Sequence, residues 1–222
     1  MESSLSDKGD RMEQNKDYND KVLKTITDIL LEEEKPSIQL SQYSETEEFK
    51  QSVFSFLNRL KETEQSKKHH PEGNVWIHTL MVVDEAAQVR NQSKEPDCFM
   101  WGALLHDVGK PDTFRIRKGK ITTYDHDKVG AKTARRLLEQ TSQSEEWINK
   151  VCALVRWHMQ ILFIAKDMSF ADLEGMKQEV DLDEIALLGT CDRMGRLNVN
   201  RREVLEDIKK FRVKSKMHNK KK

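Results

Sequence analysis

The chain has no net charge: 38 Lys plus Arg balance 38 Asp plus Glu over 222 residues. No global electrostatic pull towards nucleic acid or membrane follows from such a balance. Long apolar runs are missing too. Nothing approaches the ~18 residues of a membrane span, and the polar stretch Met1 to Lys16 holds no signal-peptide core. Cysteine is scarce: Cys98, Cys152 and Cys191 show neither metal-type nor disulfide-type spacing, and each lies in an apolar helical context. That usage suits a reduced, cytoplasmic protein. No convincing strand alternation appears, so the expected fold class is all-α.

What is present is arranged as a series of amphipathic segments. Residues 1–16 are charged, rich in Ser, Asp and Lys and without periodicity, and are expected to be disordered. Residues 17–66 form an N-terminal helical extension. Tyr18, Val22, Ile26 and Ile29 share one helix face, and Ser44-Glu45-Thr46-Glu47 reads as a capping box before Phe49, Val53, Phe56, Leu57 and Leu60. Residues 67–208 hold the main domain. It opens on the punctuation Lys67 to Asn74 and a helix with Val75, His78, Val82, Ala86 and Val89 on one stripe. A polar loop of hairpin character runs from Asp112 to Tyr124, and a second capping box, Ser142 to Glu145, precedes a helix carrying Trp147, Val151, Leu154, Val155 and His158. The last helix carries Val204, Leu205, Ile208 and Phe211. It is expected to fray into a basic tail, 209–222, that contains no acid.

The centre of this pattern is Leu104-Leu105-His106-Asp107-Val108-Gly109-Lys110-Pro111. Cys98 to Leu105 has no polar face, which marks a buried helix. Its end delivers an imidazole and a carboxylate side by side, and unpaired buried charge is costly. A metal ion is the simplest neutraliser. His78 and His158 lie on apolar faces, His126 stands at a helix N-terminus, and Asp192 continues the stripe of Ile185 and Leu188. One inward histidine is most often a hydrogen-bonded core residue. Four such histidines and two aspartates spread over several helices would otherwise require a dense polar network.

The ordered set His78, His106-Asp107 and Asp192 resembles the HD superfamily of metal-dependent phosphohydrolases. His70-Pro71-Glu72-Gly73-Asn74-Val75-Trp76-Ile77-His78 and His106-Asp107-Val108-Gly109-Lys110-Pro111 resemble the HD domain attached to bacterial tRNA nucleotidyltransferases. The resemblance runs from about Lys67 to Asn198. It implies an HD-domain helical bundle with a metal held by His78, His106, Asp107 and Asp192. His126 and His158 match positions that add a second metal bridged by Asp107; the competing reading keeps one metal and makes them substrate contacts. No nucleotidyltransferase head is found, because Asp125-His126-Asp127 and Asp181-Leu182-Asp183 have acid spacing in helical or loop context. The polymerising activity is therefore not carried over.

Nitrogen and carboxylate ligands suit Mn, Fe, Co, Ni or Zn without choosing among them. A metal-held water of lowered pKa, with the same ion on a phosphoryl oxygen, is sufficient for phosphoester hydrolysis. Asp107 and Lys110 are the expected catalytic residues, and Lys110, Arg193 and Arg196 the expected phosphate contacts. A solvated helix-end lysine and surface ion pairs are the bland alternatives. Arg115, Arg117, Lys118 and Lys120 read as a solvated loop at the rim, and Trp101 and Trp157 as core. The expected activity is phosphatase or phosphodiesterase on a nucleotide or phosphorylated RNA end. Dinucleoside polyphosphate hydrolysis, a di-iron HD oxygenase and a non-catalytic nucleotide- or RNA-binding module remain alternatives. The tail offers an RNA handle, against the simpler reading of a solubilising terminus.

Overall fold

A computed structural model describes residues 3–218, with side chains from 13 to 216. Helix α1 (Ser3–Glu32) lays Val22, Ile26 and Leu30 into the core. It begins at Ser3, so the stretch expected to be disordered is helical from there; residues 1 and 2 lie outside the described range. Next come α2 (Pro36–Tyr43), α3 (Glu47–Gln51) and a 3₁₀ helix over Val53–Lys61. The capping box is displaced from its expected frame. Thr46, not Ser44, accepts from the Phe49 N–H and starts α3. Ser52 then caps the 3₁₀ helix, so the single helix expected here is two.

Helix α4 (Val75–Ala87) starts where the Asn74 side chain accepts from the Ile77 N–H. Helix α5 (Pro96–Leu105) is buried along Cys98 to Leu105 and packs on α1, α4 and two later helices, α8 (Glu145–Trp157) and α11 (Leu182–Met194). Its lack of a polar face is explained by neighbours on every side. Between α5 and α8 stand α6 (Lys110–Thr113), a two-stranded antiparallel hairpin of β1 (Arg115–Arg117) and β2 (Lys120–Thr122), and α7 (His126–Leu138). Ser144, rather than Ser142, caps α8 by accepting from the Trp147 N–H.

The chain closes with α9 (Gln160–Ala165), α10 (Leu173–Glu179), α11 and α12 (Arg201–His218). Helix α12 does not fray at Lys209. Phe211 and Ser215 are buried against the body, and the Lys214 ammonium donates to the Ile164 carbonyl at 3.0 Å. Leu205, expected on its inner stripe, faces solvent. Residues 219–222 of the basic tail lie outside the described range. The architecture is all-α apart from the short hairpin. Residues of the N-terminal helices, Phe54 and Leu57 among them, share one continuous core with α5.

Candidate metal centre

Three helix ends and one helix face converge. His106 follows the last residue of α5, His158 follows the last residue of α8, His126 opens α7, and His78 lies on the inner face of α4. The first three imidazoles are held by one device, the carbonyl three residues upstream. His106 Nδ1 lies 2.7 Å from the Ala103 oxygen, His126 Nδ1 2.8 Å from that of Thr123, and His158 Nδ1 2.7 Å from that of Val155. A carbonyl only accepts, so each Nδ1 donates its proton. In a neutral ring this leaves the Nε2 lone pair turned inward. At the α5 and α8 ends the bond also satisfies a carbonyl that the helix leaves without a partner.

Gly109 makes the convergence possible. A side-chain carbon there would stand 2.2 Å from the His126 carbonyl oxygen and 2.4 Å from the Gly130 nitrogen. With hydrogen alone at that position, α7 closes against the turn after Asp107. Asp125, just before His126, adopts left-handed backbone at φ 59°, a conformation aspartate tolerates better than most residues.

The Asp107 carboxylate sits between two clusters. Its Oδ2 lies 3.2 Å from His106 Nε2 and 3.8 Å from His78 Nε2, while its Oδ1 lies 3.4 Å from His126 Nε2 and 3.9 Å from His158 Nε2. His78–His106–Asp107 and Asp107–His126–His158 each form a buried group of ligand atoms close enough to share an ion. Asp192 Oδ1 adds a fourth candidate ligand to the first group, 3.1 Å from His78 Nε2. All six expected ligands are thus brought together, and four of them, Asp107, His126, His158 and Asp192, line a cavity of about 380 Å³ with Lys110, Arg193 and Arg196.

Electrostatics favour the protonation states a cation requires at Asp107, Asp192, His126 and His158, but not at His106. Burial pushes the Asp107 carboxyl up, but Lys110 and His106 overcome it and hold the group well below the usual range. Asp192 is held low in the same way, by Arg196 and His78 against its burial. Burial and then His126 push His158 down to about 4, and burial lowers His126 as well. His106 moves the other way: Asp107 outweighs the effect of burial and raises it. Even so, His106 Nε2 is buried without a hydrogen-bond partner, and Asp107 Oδ2 is balanced by the Lys110 ammonium at 2.6 Å. His126 and His158 approach Nε2 to Nε2 at 3.3 Å. With each Nδ1 donating to its carbonyl, no proton remains for the gap between two neutral rings. The donor set and its orphaned atoms fit a divalent metal.

Two contributors escaped the sequence reading. Glu72, in the loop before α4, is buried, with Oε1 2.9 Å from His70 Nδ1 and 3.0 Å from His78 Nδ1. Burial opposes its ionisation, yet His78, a backbone N–H and His70 hold it down at about 2. Asp207 of α12 is the other. Its Oδ2 lies 2.9 Å from Arg193 Nη2 and 3.1 Å from Lys166 Nζ. Arg193 Nη1 is left buried without a partner, on a side chain that lines the cavity. Gln65, within the N-terminal extension, accepts from Lys110 at 2.5 Å. Trp101 and Trp157 are core residues, as expected.

Fold and centre together define an all-helical protein built around a buried His/Asp cluster able to hold metal. The sequence model of the HD domain family matches residues 75–194, over half of the chain, and the chain belongs to that family. It is similar to the multifunctional CCA protein of Actinobacillus pleuropneumoniae serotype 5b, with 30% identity over 107 residues, 48% of this chain and 25% of that one. The multifunctional CCA protein of Halorhodospira halophila is 37% identical over 95 residues, covering 43% and 21%. The A-adding tRNA nucleotidyltransferase of Deinococcus radiodurans is 33% identical over 90 residues, covering 37% and 21%. The matched part spans a quarter or less of these curated relatives.

Proposed function

We propose that this chain is a metal-dependent phosphohydrolase, a phosphatase or phosphodiesterase for nucleotides or phosphorylated RNA ends. The observation that carries this reading is the inward set of imidazole nitrogens around Asp107: His106 Nε2, buried without a hydrogen-bond partner, and the facing Nε2 atoms of His126 and His158. His78, His106, Asp107 and Asp192 would hold one ion, and Asp107, His126 and His158 a second. When bound, a divalent metal supplies a water of lowered pKa and neutralises a phosphoryl oxygen.

The chain's own residues do the rest. Asp107 divides its two oxygens between the clusters and so fixes their separation. Lys110, Arg193 and Arg196 bring three cations to the cavity, where they orient and neutralise a phosphate group. Ile161 and Leu162 supply an apolar wall that excludes bulk water. The three cations favour a phosphate substrate over the oxygenase alternative, which needs the ligands alone. The name of the Deinococcus radiodurans relative, a tRNA nucleotidyltransferase, supports an RNA end or nucleotide as the organic part. The buried thiols of Cys98, Cys152 and Cys191 accord with a reducing cytoplasmic setting.

The test is elemental analysis of purified protein, paired with phosphatase and 2′,3′-cyclic phosphodiesterase assays supplemented with Mn, Fe, Co, Ni or Zn. Two ions per chain are expected in the native protein and one after His126→Ala with His158→Ala. Turnover should disappear with Asp107→Ala. Absence of metal together with absence of hydrolysis under every supplement sinks the proposal.

A further inference from the structure

We propose that the β1–β2 hairpin is a docking element for single-stranded polynucleotide, engaging the phosphates beyond the one that reacts. This rests on the phosphohydrolase reading for its orientation, and it narrows the substrate from any nucleotide to the end of a chain. The hairpin is connected directly to the metal centre. Ile121 of β2 and Thr123 just after it line the cavity, and the Thr123 carbonyl fixes the His126 ring.

Its charge is of one sign and unspent. From Thr113 to Tyr124 the segment contains Arg115, Arg117, Lys118 and Lys120 and no acid, and all four cations are exposed. The acids at either side are already engaged: Asp112 by Arg59 at 2.8 Å and Asp125 by Lys128 at 2.8 Å. Among the described residues none of the four cations has an ion-pair partner. The tail, the other basic segment, differs in this respect. Its described part has Lys210 against Asp207, Arg212 against Asp183 and Lys214 against Asp167. The Arg212 and Lys214 pairs hold α12 on the body, whereas in the hairpin Arg115 reaches only neighbouring backbone carbonyls and Arg117 only the Tyr124 ring.

The register sharpens the chemistry. Arg115 pairs with Thr122, Ile116 with Ile121 and Arg117 with Lys120. Alternation therefore puts Arg115, Arg117 and Lys120 on one face and the two isoleucines on the other. Ile121 meets the cavity, and Ile116, 67% exposed, carries that apolar strip outward. Tyr124, 66% exposed, stands at the foot of the hairpin with the Arg117 guanidinium 5.4 Å from its ring centre. Unpaired cations for phosphates beside apolar and aromatic surface for bases make a single-strand platform. A mononucleotide would be taken up by the cavity and need none of it.

The experiment compares wild type with the quadruple variant Arg115→Ser, Arg117→Ser, Lys118→Ser and Lys120→Ser. Fluorescence anisotropy with a labelled single-stranded RNA of about 12 nucleotides is read from about 50 to 200 mM salt. The variant is expected to bind at least about tenfold more weakly, and its log–log salt slope should fall by about 3, at ~0.7 for each lost phosphate contact. Its melting temperature and its turnover of p-nitrophenyl phosphate should match wild type. Equal affinity and slope in the two proteins would overturn the proposal, as would wild type that prefers vesicles containing phosphatidylserine to RNA. Loss of p-nitrophenyl phosphate turnover in a folded variant would overturn it too, by making the hairpin part of the reacting site. Should neither protein hydrolyse any ester, the phosphohydrolase reading fails and the anisotropy result still decides the hairpin.

Discussion

The Lys110 ammonium lies 2.6 Å from Asp107 Oδ2, the same oxygen that faces His78 and His106. Its other contact is Gln65 Oε1, and the side chain is buried at the cavity wall. A cation placed there holds the carboxylate ionised and presents positive charge where a phosphate would enter. Lys110→Met keeps the aliphatic stem and removes that charge. A charge-assisted hydrogen bond contributes about 1.5–3 kcal/mol, so kcat/KM for a phosphate ester should fall by about 10–150-fold. Metal content should stay at the wild-type ratio. Unchanged kcat/KM would reduce Lys110 to a structural partner of Asp107.

Glu72 acts one step away from the candidate ligands. With its Oε1 between His70 and His78 it sets the His78 ring with Nε2 inward, the carboxylate–histidine arrangement that orients metal ligands. Glu72→Gln preserves size and removes the charge. Metal affinity should weaken by about 10–100-fold in a competition titration against a chelator. A dissociation constant within about twofold of wild type would show that the loop backbone alone positions His78.

The convergence of the six candidate ligands was legible because each is a polar exception within an apolar pattern. His78 interrupts the stripe of Val75 and Val82, Asp192 continues that of Ile185 and Leu188, and His106-Asp107 ends a segment with no polar face. Glu72 carried no such signal. It sits between Pro71 and Gly73 in a polar loop, and only the folded backbone brings its carboxylate between His70 and His78. Asp207 was hidden in the same way: on a helix dense with charge, the one acid that faces inward is chosen by Arg193 of α11. The capping boxes slipped by two residues because each stretch offers two hydroxyls, Ser44 and Thr46 or Ser142 and Ser144. Only the local backbone decides which one accepts the N–H.

The cysteines give a pH prediction. Burial pushes the Cys98 thiol up to about 12, Cys152 to about 11 and Cys191 to about 12. Unfolded thiols ionise near their ordinary ~8.5. As pH rises between these limits, the unfolded chain loses the protons first while the native state keeps them. The native state is therefore disfavoured with increasing pH in that window and unaffected by these groups below it. Native protein near pH ~8 should release almost no chromophore from a disulfide-exchange reagent, since the thiolate is the reacting species. Denatured protein should release three equivalents, one for each free cysteine. Rapid labelling of the folded protein would show that a thiol opens to solvent more readily than its burial indicates.

Asp207 tests whether α12 serves the cavity or only covers it. It holds Arg193 through Nη2 and leaves Nη1 unpartnered. Burial would raise the Asp207 carboxyl, but Lys166 and Arg193 keep it low, so the contact is between full charges. Asp207→Asn weakens that grip without emptying the space. If Arg193 contributes to binding substrate and transition state alike, KM should rise by about tenfold with kcat within about twofold, the signature of lost uniform binding. Arg193→Lys should reproduce the rise, because an ammonium cannot contact Asp207 and a phosphate with one planar fork. Combining the two substitutions should add little beyond either alone, since both act through the same guanidinium. Additive losses would assign Asp207 a role of its own, separate from Arg193.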